Sequence, residues 1–166
     1  MEHFHAPLLG SFNAINLTAV ILVAHQLGMS IDEIKVAFTK LKPVDNRLQK
    51  IEANGKLIID DSFNGNLEGM LEAVNICSNH KGRKVIITPG LVESTDEANI
   101  LLAKAINENF DLVILTGSLN THLLSSNIDD NKLFILKDKK ELQETLAEKT
   151  RAGDLILFAN DAPNFI

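Results

Sequence analysis

The densest chemistry in this chain of 166 residues lies in Asp60-Asp61-Ser62-Phe63-Asn64-Gly65-Asn66, just after Asn46-Arg47-Leu48. Two carboxylates follow the apolar run Leu57-Ile58-Ile59 and precede a short polar loop. Carboxylates in that position can accept hydrogen bonds from a ribose, an amine or a metal-bound water. An Asp-Asp pair also ends strands and caps helices where no ligand binds, so these residues leave both readings open. Four further segments share the composition of a polar-ligand site, which is also that of ordinary turns. They are Pro89 to Glu93, Gly117 to Asn120, Lys137-Asp138 and Asn160-Asp161.

Several chemistries are absent. No Gly-x-Gly-x-x-Gly follows an apolar run, and the nearest approach is Gly65-x-x-x-Gly69. No Gly-x-x-x-x-Gly-Lys-Ser/Thr occurs, so the chain holds no complete phosphate cradle. His3 and His5 sit near one end, while His25, His80 and His122 are scattered, and no metal-ligand spacing emerges. There is no nucleophile elbow. A receiver-type phospho-acceptor would need a third Asp ending a middle strand, where Thr88-Pro89 and Thr116-Gly117 stand instead. The lone Cys77 has no partner for an internal disulfide, falls on a helix face expected to be buried, and has no base beside it.

A net charge of −6 argues against a nucleic-acid footprint, and with no Trp or Tyr any stacking platform would have to be Phe. The start of the chain lacks the basic and apolar regions of a signal peptide. The apolar run Leu17 to Leu27 is shorter than the roughly 20 residues that span a bilayer, and it carries His25 and Gln26. It reads as a buried helix of a cytoplasmic protein.

The elements that must position these residues change character near Val44. Before it the chain reads as helical. A helix over Asn13 to Leu27 ends at Gly28, and a second opens on a Ser30/Glu33 capping box with an apolar face of Ile31, Ile34, Phe38 and Leu41, stopped by Lys42-Pro43. From Val44 strands and helices alternate. Arg47–Glu52 and Lys56–Asp60 are expected as a hairpin around Asn54-Gly55. Strands are expected over Lys84–Thr88, Asp111–Thr116, Lys132–Leu136 and Asp154–Ala159. Helices are expected over Asn66–Ser78, from a Ser94/Glu97 box to Asn109, over Leu119–Ser125 and over Lys139–Lys149. Such alternation implies an α/β fold, a mostly parallel sheet with helices on both faces.

The segment Asp60 to Asn66 resembles the Asp-Asp-Ser/Thr-Tyr-Asn-Ala-Asn motif of the Mur ligases, most closely in the branch that adds D-alanyl-D-alanine to a UDP-N-acetylmuramoyl tripeptide. Three other segments agree in order. Gly10-Ser11-Phe12-Asn13-Ala14-Ile15-Asn16 is similar to Gly-x-His-Asn-x-x-Asn. Asn46-Arg47-Leu48 is similar to Gly-Arg-Leu/Met-Glu. Thr88-Pro89-Gly90-Leu91-Val92-Glu93 is similar to Thr-Pro-Gly-Met-Val-Glu. The chain departs from these patterns at Phe12 for His, Asn46 for Gly, Gln49 for Glu, Phe63 for Tyr and Leu67 for Pro. Asn160-Asp161-Ala162 stands where Lys-Gly-Ser is usual.

The resemblance implies a fragment. Residues 1–43 would be the last helices of a central ATPase domain, and residues 44–166 a Rossmann-like C-terminal ligase domain. The UDP-binding domain and the phosphate loop would lie outside the chain. The implied reaction is ATP-dependent joining of a carboxylate to an amine through an acyl phosphate, with Mg held mainly by the central domain. Asn13 and Asn16 would contact adenine, Arg47 the nucleotide phosphates and Asp61 the ribose, with Asn64 supporting that loop. Thr88, Glu93, Ser118 and Asn120 would orient D-Ala-D-Ala, the other substrate being UDP-MurNAc-tripeptide. On the residues themselves, Asn13 also suits a helix N-cap, Arg47 an exposed strand edge, and Thr88, Glu93, Ser118 and Asn120 turn or cap positions. Another carboxylate–amine ligase of the family, of the diaminopimelate-adding or folylpolyglutamate type, and a stand-alone nucleotide- or peptide-binding module remain as alternatives.

Overall fold

The computed structural model describes residues 2–63 and 65–159. Asn64, Asn160 and Asp161, all singled out by sequence, lie outside the described residues.

Six strands form one sheet in the order β1-β2-β6-β3-β4-β5. β1 (Gln49–Ala53) and β2 (Lys56–Asp61) pair antiparallel, and Ala53 faces Lys56 across the turn. Asn54 and Gly55 turn it with φ of 52° and 72°, the left-handed pair that two-residue hairpins require. β3 (Lys84–Thr88), β4 (Leu112–Leu115), β5 (Leu133–Ile135) and β6 (Leu155–Ala159) continue the sheet in parallel from β2.

The sheet explains the uninterrupted apolar runs. Ile86, Val113 and Leu157 point into one core, with Met70, Val74 and Cys77 of α3 (Leu67–Ser78), Leu102 and Ile106 of α4 (Asp96–Asn109) and Leu124 of α5 (Thr121–Ser125). Their neighbours Val85, Ile87, Ile114, Ile156 and Phe158 point into a second core closed by Leu142 and Leu146 of α6 (Leu142–Lys149). Consecutive strand residues face opposite sides, so a strand buried on both faces must be apolar throughout. The chain is thus an α/β fold with a mostly parallel sheet covered on both faces, as expected.

Below the sheet, Asp154 is only 1% exposed. It accepts from an Arg83 guanidinium nitrogen at 3.0 Å and from the Arg151 N–H at 2.9 Å, while Arg83 also donates to the Lys149 carbonyl at 2.9 Å. These bonds join the starts of β3 and β6 to the end of α6.

Three sequence expectations shift. The helix α1 (Ser11–Gln26) starts on Gly10 as N-cap, without a side-chain cap, so Asn13 lies inside the first turn and caps nothing. α1 contains no buried residue, and Ile15, Leu22 and Leu27 are 73%, 67% and 81% exposed. The buried helix expected there is uncovered within the described residues, although α2 (Ile31–Phe38) packs against it. Finally, Thr95 rather than Ser94 caps α4, its hydroxyl accepting the Ala98 N–H at 3.2 Å. The Asn99 amide also donates to the Thr95 carbonyl at 3.2 Å. The Ser30/Glu33 capping box forms as the sequence indicates.

Candidate functional site

The carboxyl end of β2 and the loop before β1 build one site. Asn46 and Leu48 have φ of 62° and 47°, left-handed conformations that cost a non-glycine residue of order 1 kcal/mol each. Side chains of the Asp60–Ser62 turn hold this loop. The Asn46 amide donates to Ser62 Oγ at 2.9 Å and to Asp60 Oδ2 at 3.3 Å. Asp60 Oδ1 accepts from the Ser62 N–H at 3.1 Å and from its hydroxyl at 2.5 Å. The Phe63 N–H donates to the Asn46 carbonyl at 3.0 Å. Asp60, buried, is therefore committed to shaping the loop.

Asp61 is only half-buried and works differently. Its Oδ1 accepts the Leu48 N–H at 3.1 Å, which fixes the residue after Arg47. Burial raises the Asp61 pKa above the ordinary carboxylate range; the Leu48 N–H opposes this, neighbouring Asp60 adds to it, and Arg47 opposes it. The Arg47 guanidinium lies over the Phe63 ring, 4.5 Å from its centroid, a cation–π contact that orients the fork.

These groups line one open cleft of about 160 Å³, bounded by Phe12, Arg47, Leu48, Asp61, Phe63, Gly65, Asn66 and Gly69. A carboxylate, a guanidinium and two exposed aromatic rings meet there. That set can accept from hydroxyls, neutralise an anion and flank a flat ring. Asn66 also caps α3, accepting the Gly69 N–H at 2.8 Å.

Of the residues singled out by sequence, the structure brings Arg47 and Asp61 together in this cleft. Asn13 and Asn16 sit on the adjoining first turns of α1; the Asn13 amide donates to the Leu9 carbonyl at 2.6 Å, and Asn16 is exposed. Thr88 and Asn120 belong to a separate network around the Pro89–Leu91 loop. Thr88 is fully buried, and its Oγ1 accepts the Gly90 N–H at 3.0 Å. Asn120 donates to the carbonyls of Pro89 at 3.2 Å and Leu91 at 3.0 Å. Glu93 and Ser118 are exposed on the rim loops. Asn99, which sequence reasoning passed over, clamps the same loop, its Oδ1 accepting the Leu91 N–H at 2.8 Å and its amide donating to the Leu91 carbonyl at 3.0 Å. Its polar position on an otherwise apolar helix face was the only sequence signal. Phe12 and Phe63 depart from the motifs in sequence, and only packing shows them facing one cleft.

Cys77 is buried and its thiol is pushed up to about 12, mainly by burial, so it is inert. No group of three or more His, Cys, Asp or Glu that could hold a metal ion occurs among the described residues. No helix among them is long and apolar enough to cross a membrane.

Fold and cleft together define an α/β domain with a polar cleft at the carboxyl edge of its sheet, the edge where such sheets bind ligands. The family model described as Mur ligase, glutamate ligase domain, matches residues 46–160, and the chain belongs to that family. It is 31% identical, over 70% of its length and 26% of the relative's, to the UDP-N-acetylmuramoyl-tripeptide–D-alanyl-D-alanine ligase of Buchnera aphidicola subsp. Baizongia pistaciae. It is 38% identical, over 52% of its length and 19% of the relative's, to the UDP-N-acetylmuramate–L-alanine ligase of Methylocella silvestris. Its fold matches that of the MurF ligase of Thermotoga maritima, solved in complex with ADP, with a TM-score of 0.76 at 23% identity over 92% of this chain and 35% of that one. The chain thus spans about a quarter or less of these two curated relatives.

Proposed function

We propose that this chain is the C-terminal part of an ATP-dependent carboxylate–amine ligase that adds D-Ala-D-Ala to UDP-MurNAc-tripeptide during peptidoglycan precursor synthesis in the cytoplasm. The observation that carries the reading is the joint placement of Arg47 and Asp61 in the Phe12–Phe63 cleft. The donor set fits a nucleotide: a guanidinium for phosphate oxygens, a carboxylate for ribose hydroxyls and aromatic faces for a base. Bound ATP would supply the phosphoryl group that activates the substrate carboxylate. This chain's part is to orient the nucleotide with Asp61 and neutralise charge with Arg47, the positioning and electrostatic work that dominates such transfers. Asn13 and Asn16 would reach the base from α1. Mg would be held mainly by residues outside the chain.

The amine substrate is assigned to the rim next to the cleft. Glu93 and Ser118 would meet D-Ala-D-Ala directly, while Thr88 and Asn120 would act by holding the Pro89–Leu91 loop. The choice of amine rests on the Thr88 to Glu93 segment and on relatives named for D-alanyl-D-alanine addition. The exposed apolar surface of α1 supports assigning residues 1–43 to a preceding ATPase domain that covers it, and residues 44–166 to the ligase domain.

The test uses the complete enzyme that carries this chain. ATP-dependent phosphate release is expected with UDP-MurNAc-tripeptide plus D-Ala-D-Ala and not with UDP-N-acetylmuramate plus L-Ala, UDP-N-acetylmuramoylalanine plus D-Glu, or UDP-N-acetylmuramoyl-L-alanyl-D-glutamate plus diaminopimelate; preference for one of those pairs would reassign the branch. Ligation by the isolated chain is expected to be undetectable, and its detection would refute the fragment reading.

A further inference from the structure

α1 begins on a glycine, so no side chain of its own satisfies the N–H groups of its first turn. One of them is satisfied from far along the chain: the Ser11 N–H donates to Glu72 Oε1 at 2.9 Å, across 61 residues. Glu72 sits on α3, which packs on the sheet. A carboxylate is well suited to the positive end of a 16-residue helix. The bond stands at a sparsely packed junction, since α1 buries nothing and an open space lined by Ser11, Phe12, Asn66, Glu68, Gly69 and Glu72 adjoins it. The next residue, Phe12, forms one wall of the Arg47–Asp61 cleft.

We propose that Glu72 is a positioning residue of the nucleotide cleft: through the Ser11 N–H it holds the first turn of α1, and with it Phe12, against the wall formed by Arg47, Asp61 and Phe63. Without it the two walls still fold but are no longer presented together. This inference rests on the nucleotide reading above.

The test is ADP titrated calorimetrically into the complete enzyme that carries this chain, with thermal unfolding in parallel. E72A removes the acceptor. S11P removes the donor at the first helical position, where proline is tolerated because that N–H has no intrahelical partner. Each is expected to weaken ADP binding threefold to tenfold with the melting temperature preserved, the double variant is expected to be no weaker than either single, and E72Q, which keeps an acceptor, is expected to bind within about twofold of the parent. Binding by the parent that is indifferent to E72A and S11P overturns the inference alone, as do additive losses in the double variant. Tighter binding in E72A, the outcome if the carboxylate only repels phosphate, also overturns it. No ADP binding by the parent overturns the nucleotide reading and this inference with it.

Discussion

Asp60 and Asp61 are neighbours of identical type with different tasks. Asp60 is buried and meets its demands with Ser62 and Asn46; Asp61 faces the cleft and carries a raised pKa because burial disfavours its charge. A carboxyl that holds its proton more tightly when folded stabilises the native state at low pH. That contribution fades as pH rises from the ordinary Asp value through the raised one. Asp61→Asn keeps an oxygen for the Leu48 N–H and loses the titration. Equilibrium unfolding against pH should therefore show the parent losing stability relative to Asp61→Asn over that window, while the variant binds ADP more weakly at neutral pH. Asn46 stands at a φ of 62° where the family motif has glycine. Asn46→Ala puts alanine in the left-handed region and removes the bonds to Asp60 and Ser62, at an expected cost of about 2 kcal/mol. Asn46→Gly relieves the backbone strain and should cost less, as denaturant titration would show.

At the scale of elements, the sheet unit and α1 obey opposite rules. Ile86 is completely buried in β3, whereas Leu22 is 67% exposed on α1. Ile86→Ala is expected to cost about 3 kcal/mol through lost burial and a cavity. Leu22→Ala should stay within about 0.5 kcal/mol in this chain. A comparable loss at both sites in chemical denaturation would mean that α1 is covered by a contact between copies. The Pro89–Leu91 loop is held by Asn99 of α4 and by Asn120, which precedes α5, and Asn120→Ala is expected to cost about 1–2 kcal/mol. In the complete enzyme it should also raise the KM for the proposed amine substrate, D-Ala-D-Ala, more than it lowers kcat, because loop shape rather than chemistry is altered.

At the scale of the whole molecule, the Arg83–Asp154 pair ties the amino ends of the central strands to α6, opposite the cleft. Asp154→Ala leaves a guanidinium without its buried partner and is expected to cost about 3 kcal/mol. Being remote from the cleft, it should leave ADP affinity unchanged wherever the chain is folded, a separation that melting curves and ADP titration together would test.

How much of this was legible in the sequence depends on the range of the interaction. The strands were marked by apolar runs, the hairpin by Asn54-Gly55, and the second helix by Ser30 and Glu33, because backbone geometry and local capping act within a few residues. The pairing of Arg47 with Asp61 was legible only through motif resemblance. What only the tertiary structure decided was long-range. It inserted β6 between β2 and β3, gave the cap of α4 to Thr95, and left α1 uncovered where its composition suggested burial. It turned Phe12 and Phe63 toward one cleft, committed Thr88 and Asn120 to a loop, and joined Glu72 to Ser11. Such contacts link residues tens of positions apart, and no local pattern encodes which distant partner a polar atom will find.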